Sequence, residues 1–440
     1  MGAKNNIASV YSAHPLKSGS STNIRLLELL PSNSPYPNTP IFCRLHVVPL
    51  DKTPFYTALS YVWGNEPTTK TIILDGRPFA IRLNLWNFLA QYKRYGAGQF
   101  IWIDAICINQ LCDDERSHQV AMMGCIYSRA NPVIAWLGPE LWRPLGALVQ
   151  HTEPSSDHHF IATNLKPISA SEYWKRLWIV QEFVLGERLE IWSGASRMSG
   201  DTLSKLFKTM CECFQQRRFS RDEVRDVQLR RMLMSLCGSP ARHIVDCRTN
   251  RSARNNYSSK RLFQKFGQQK CRDVRDRVYG LLGLINAQEL TDFPIHPDYS
   301  KSTSDLFVDI WDRQYAQAAR DWHRGSSWKG LEAYAERLQS QLDLNRKDAG
   351  VKLVFERIAN GKQDEKYQRE AKENADAMST TMSNVTSNAP SNTDSNPKSI
   401  ASSTSKSKPK RKNVTRKNKT AHEVRNVPLA TWQILDDRRY

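Results

Sequence analysis

Four apolar runs, each closing on a polar or glycine signal, organise the first half of the chain. They are Tyr56-Thr-Ala-Leu-Ser-Tyr-Val-Trp-Gly64, Phe100-Ile-Trp-Ile-Asp104, Pro132-Val-Ile-Ala-Trp-Leu-Gly138 and Arg176-Leu-Trp-Ile-Val-Gln-Glu182. Short apolar runs bounded by turn signals read as buried strands, so Tyr56–Trp63, Phe100–Ile103 and Val133–Leu137 are predicted strands. Thr71–Ile81 reads as a hairpin, because Asp75-Gly76 supplies the positive φ of a tight turn. Asn84 is expected to cap a helix carrying Leu85, Phe88, Leu89 and Tyr92 and stopping at Gly96. After a loop through Cys107 and Asp113, Asp114 is expected to cap a second helix with Val120, Met123, Ile126 and Tyr127 on its apolar face.

Elsewhere the pattern is weaker. Residues 1–40 read as a poorly ordered lead-in in which Ile24–Leu30 forms a short strand or helix. Leu141–Ser169 reads as a looser insertion, followed by a helix over Trp174–Leu185 and a strand over Leu189–Trp192. Helices are expected over Leu203–Phe214, Asp222–Cys237 and Arg277–Leu284, and Ser302-Thr-Ser-Asp305 opens another through Trp311. Strand, helix and strand in succession predict an α/β fold with a parallel-sheet core. The expected organisation is a main domain over 41–320, a helical extension over 321–375 and a low-complexity basic tail over 376–440.

Composition narrows the class. Hydrophobic residues make up 40 % of the chain and twelve are Trp, enough for a full core. The net charge of +19 owes much to the tail, where Lys408-Pro-Lys-Arg-Lys412 suits nuclear import or a nucleic-acid contact and equally a solvated tail. Nucleic acid is not expected as a partner apart from that tail. Nine Cys without a C-x-x-C imply reduced thiols in an intracellular protein, and no zinc site is expected. With no apolar leader and no run long enough to span a bilayer, a cytoplasmic location is expected. The glycine motifs of phosphate loops and dinucleotide folds are missing from the sequence. Cys107 and His118 lack an identifiable third partner for nucleophilic catalysis.

Together the segments resemble the fungal HET (heterokaryon incompatibility) domain. The resemblance runs through Ala58-Leu-Ser60-Tyr-Val-Trp63-Gly64, Trp102-Ile-Asp104-Ala-Ile-Cys-Ile-Asn109-Gln110, Glu115-Arg116, Ala135-Trp-Leu-Gly138 and Arg176-x-Trp178-x-Val-Gln181-Glu182. Asp273-Val-Arg-Asp276-Arg-Val-Tyr-Gly280-Leu-Leu-Gly283 and Pro297-Asp-Tyr299 look like its closing segments. It implies a role in fungal non-self recognition, with death of incompatible fused cells, self-association, and other incompatibility proteins as partners. HET domains look like distant relatives of TIR domains, flavodoxin-like modules some of which cleave NAD. That likeness places a catalytic carboxylate at Glu182, with NAD as substrate and no resident cofactor or metal.

The residues themselves leave alternatives open. Glu182 either lies beside a sugar, as glycoside cleavage requires, or pairs with Arg176 or Lys175 on a helix surface. Asp104 is a ligand-contacting acid at a strand end or a loop acid accepting backbone N–H groups. Asn109 and Gln110 anchor that loop or read a base or amide. Arg116 faces a phosphate or pairs with Asp113. Trp63, Trp136 and Trp178 stack on a base or fill the core. A non-enzymatic interaction module that oligomerises and recruits a death effector remains the rival to an NAD-cleaving enzyme.

Overall fold

The apolar runs do form the middle of a sheet. In the computed structural model the strands are β1 (Asn23–Leu29), β2 (Phe42–Pro49), β3 (Tyr56–Tyr61), β4 (Thr68–Leu74), β5 (Arg77–Arg82), β6 (Phe100–Trp102), β7 (Val133–Trp136), β8 (Leu189–Ser193) and β9 (Ser196–Ser199). They lie in the order β5-β4-β2-β1-β6-β3-β7-β8-β9. The structure describes residues 10–16, 22–31, 40–64, 68–96, 98–150, 157–216, 224–250, 257–292, 294–320 and 327–366. The basic tail and the expected helix start at Asp222 lie outside them.

The class is α/β, as expected. The parallel core is four strands wide, with β3 flanked by β6 and β7 and with β8 beyond β7. Antiparallel pairs extend it on both sides, β1 on β6 and β9 on β8, so the sheet is mixed. All six residues of β3 and all four of β7 are buried. Burial of both parities requires cover on both faces, which explains why these strands read as unbroken apolar runs rather than as alternating ones. The hairpin β4–β5 turns at Asp75 (φ 49°) and Gly76 (φ 75°), both in the left-handed region that such a turn demands.

Several expectations need correction. Asn23–Leu29, inside the supposed lead-in, is the strand between β2 and β6. Its Ile24, Leu26 and Leu27 are fully buried. Asn84 sits within the helix Leu83–Gly96 and does not cap it; its side chain donates to Val62 O at 2.7 Å and accepts from Trp136 Nε1 at 2.8 Å. The helix Asp113–Arg129 begins after Cys112 with no side-chain cap, so Asp114 is only a first-turn acid favoured by the helix dipole. The loop after β6 contains a helical turn, Asp104–Cys107. The supposed insertion is two helices, Trp142–Gln150 and His158–Ser169, the second capped by Asp157 accepting from His159 N and Phe160 N. The span Trp174–Leu185 divides into a 3₁₀ turn, Glu172–Lys175, and a helix, Trp178–Leu185.

Helices Gly200–Gln216, Val224–Cys237 and Pro240–Thr249 follow β9. Ser302 accepts from Asp305 N at 3.1 Å to open the helix Thr303–Arg320. Trp328–Gln341 and residues 349–366 are helical too, and Leu338, Val351, Val354 and Ile358 join the continuous core.

Candidate functional site

Strand order decides where a ligand can sit. From β3 the chain reaches β6 on one side, then crosses back over β3 to β7 on the other. A reversal of this kind opens a crevice outside the carboxyl ends of the parallel strands. Ser60 and Trp63 arrive there from β3, and Asp104 from β6. Arg176 and Glu182 come from the segment that returns the chain toward β8.

Glu182 is 1 % exposed. Ser60 donates to its Oε2 at 2.5 Å, and the Tyr173 hydroxyl stands 2.7 Å from Ser60 Oγ. With Ser60 donating to the acid, Tyr173 donates to Ser60, and the three form a relay closed to bulk water. Burial pushes Glu182 up to about 7; Asp104 adds to the rise, while Arg176 and the Ser60 bond oppose it. The expectation of a surface pair with Arg176 or Lys175 is therefore wrong, since Lys175 pairs with Glu172 at 2.5 Å. Arg176 donates through Nη1 to Tyr61 O, and its cation acts on both Asp104 and Glu182.

Asp104 is half-buried. Its Oδ2 accepts from Trp63 Nε1 at 2.9 Å and its Oδ1 from Ala105 N at 2.7 Å. Burial raises its affinity for a proton, while Arg176, Trp63 and Ala105 lower it. Trp63 is half-buried and faces the Arg82 guanidinium at 5.9 Å, and Arg82 also donates to Gly64 O. Gly64 adopts φ 76°, which turns the chain away from β3. Two carboxyls, an arginine and an indole thus meet at one strand edge.

Other candidates serve as framework. Gln110 Nε2 donates to Asp104 O at 3.0 Å, Asn109 Oδ1 accepts from Leu111 N at 3.2 Å, and both pin the loop. Glu115 does more than favour the helix dipole. It accepts two bonds from the fully buried Arg25, at 2.6 and 3.0 Å, and one from Asn109 N at 2.6 Å. Gln181 accepts from Gly283 N at 2.8 Å. Trp136 is core.

Trp178 and Arg116 belong to a second polar cluster. Trp178 Nε1 donates to Asp276 Oδ2 at 3.1 Å and Tyr299 Oη to Asp276 Oδ1 at 2.7 Å. Arg116 pairs with Asp113 at 3.0 Å and lies 3.9 Å from the Tyr299 ring centroid. Arg275 ties Tyr299 O and Lys301 O to the same place at 2.6 and 2.7 Å. Burial lifts Asp276 to about 6 against the two donors. This cluster fixes the first residue of the Glu182 helix.

Sequence reasoning missed Tyr173, Arg82 and Arg25. Tyr173 bonds Ser60 across 113 positions, so no local spacing announces it. Among the described residues no group of three or more His, Cys, Asp or Glu could hold a metal ion, and no helix is long and apolar enough to cross a membrane. Cys107 is buried and pushed up to about 12, which removes it as a nucleophile.

The crevice and its acids come from a segment with known relatives. Residues 56–182 match the family model described as heterokaryon incompatibility protein (HET). The chain therefore carries a HET domain. Over 133 residues it is 41 % identical to "Heterokaryon incompatibility protein 6, OR allele" of Neurospora crassa, an alignment covering 27 % of this chain and 19 % of that protein. The chain thus spans about a fifth of that curated relative. No solved structure matches it.

Proposed function

We propose that this protein acts in fungal non-self recognition, in vegetative incompatibility, and that it triggers cell death by hydrolysing NAD at the crevice. The HET domain and the incompatibility relative support the biological role. The observation that carries the chemistry is the buried Glu182 at the strand edge, held by Ser60 with its proton affinity raised to about 7. In the reaction water adds to C1′ of the nicotinamide-bearing ribose as the glycosidic bond breaks. Nicotinamide leaves with the bond pair, and the water's proton goes to solvent. The sugar passes through an oxocarbenium-like state, which ionised Glu182 stabilises, while half-buried Trp63 offers a face for a ring. Arg176 supplies a cation for phosphate.

One observation favours the rival reading. At 1 % exposure Glu182 is sealed in this conformation, as a structural acid in an assembly module would be. The experiment compares NAD levels after inducing the wild-type chain and Glu182→Gln in a host cell. Depletion by wild type alone supports the enzyme. Growth arrest that survives Glu182→Gln with NAD unchanged supports the module and sinks the hydrolysis.

A further inference from the structure

Outside the crevice, two thiols and a guanidinium converge among the helices that follow β9. Cys211, on Gly200–Gln216, and Cys237, closing Val224–Cys237, hold their sulfurs 3.0 Å apart. Arg242, in the first turn of Pro240–Thr249, donates Nε–H to Cys211 Sγ at 3.0 Å. Its guanidinium is kept in place by Asp246, one turn further along the same helix. Cys211 is 9 % exposed and Cys237 half-buried, so the pair reaches the surface. Two other buried thiols are in a different situation. Cys43 and Cys107 have no sulfur partner among the described contacts, and burial pushes both up to about 12.

We propose that Cys211 and Cys237 are a reversible oxidation site, closing to a disulfide when a small hydroperoxide reacts there. Cys211 is the attacking sulfur, because the arginine stands beside the atom that must carry negative charge. Its thiolate forms an S–O bond with the peroxide, the O–O bond breaks, and the departing hydroxide takes a proton and leaves as water. The Cys237 sulfur then attacks the sulfenic sulfur of Cys211. An S–S bond forms and the hydroxyl leaves as a second water with the Cys237 proton. Two thiols lose two electrons and two protons, and hydrogen peroxide is reduced to two waters. Burial and the Cys211 bond hold the proton on Cys237 while Cys211 reacts, and Cys237 gives up that proton to the departing hydroxyl as it attacks. The bond would staple two helices through residues 26 positions apart in sequence.

The test exposes the full reduced chain to hydrogen peroxide and maps thiols by mass spectrometry of its peptides. A Cys211–Cys237 crosslink reversed by dithiothreitol is expected. In Cys237→Ser a dimedone adduct should collect on Cys211, and Arg242→Gln should slow closure about threefold. The effect is modest because a neighbouring cation that favours the charged sulfur also lowers its nucleophilicity. Arg242→Lys should restore the rate. The proposal falls if wild-type Cys211 and Cys237 stay unlinked at a peroxide dose that oxidises the exposed Cys125, a readout needing no variant. It falls equally if dimedone labels Cys213 instead, or if Arg242→Gln closes at the wild-type rate.

Discussion

Replacing Glu182 by Gln should stabilise the protein in alkali and do little in acid. The acid titrates near 7 in the folded chain against an ordinary 4.5. The folded state therefore keeps a proton that the unfolded chain releases between those values. Because the folded value is the higher one, this contribution is fully present below about pH 4.5, declines as pH rises, and is gone above about pH 7. At 1.36 kcal/mol per unit the whole difference is about 3 kcal/mol, of which about 2.5 falls between pH 5 and pH 8. The substituted glutamine would have nearly the same shape, its carbonyl would still accept from Ser60, and it would not titrate. Urea unfolding of both proteins at pH 5 and pH 8 gives the two stability differences. The variant should gain roughly 2–3 kcal/mol on wild type between the two. A difference equal at both pH values would show that Glu182 is not a desolvated acid, and the electrostatic case for the site would fail with it.

Other consequences are as direct. If Glu182 acts ionised, NAD hydrolysis should rise with pH through about 7 and then level, and a falling profile would refute its role as an anion. Arg25→Ala leaves Glu115 in the interior without its cation and should cost about 3–5 kcal/mol in chemical denaturation. Tyr299→Phe removes one of the two side-chain donors to Asp276 and should cost about 1–3 kcal/mol, read as a lower melting temperature. Gly283→Ala would place a Cβ 2.5 Å from Gln181 Oε1 and 2.9 Å from Gly124 Cα, so about 1–3 kcal/mol should be lost there too.

The sheet was legible where burial on both faces makes a strand apolar throughout, as in Tyr56–Tyr61 and Val133–Trp136, and where Asp75-Gly76 marks a turn by its own backbone preference. It was not legible where a side chain answers to a distant partner. Asn84 carries every local sign of a cap, yet Trp136 and the Val62 carbonyl claim its amide. The helix Trp142–Gln150 went unread because it is short and contains Pro144 and Gly146, both helix-weakening residues. At the site, Asp104 and Glu182 stood out as polar groups ending apolar runs, and Ser60 and Arg176 as positions of the family pattern. What joins them did not, because the Tyr173–Ser60 contact and the Asp276 clamp on Trp178 exist only after the chain folds back.

The place of β1 in the sheet bears on where the HET domain ends as a physical object. Residues 56–182 hold β3 to β7 and the start of the Glu182 helix, but β1 pairs with β6, β2 with β4 and β8 with β7 from outside those limits. Arg25 and Asp276, which hold Glu115 and Trp178, also lie outside. A fragment cut at the borders of the family match would bare the edges of three strands, β4, β6 and β7, and bared edges recruit other chains. What is inherited as a recognisable block is therefore smaller than what must be synthesised together to fold, and recombination at its borders would yield a sticky remnant in place of a transferable module.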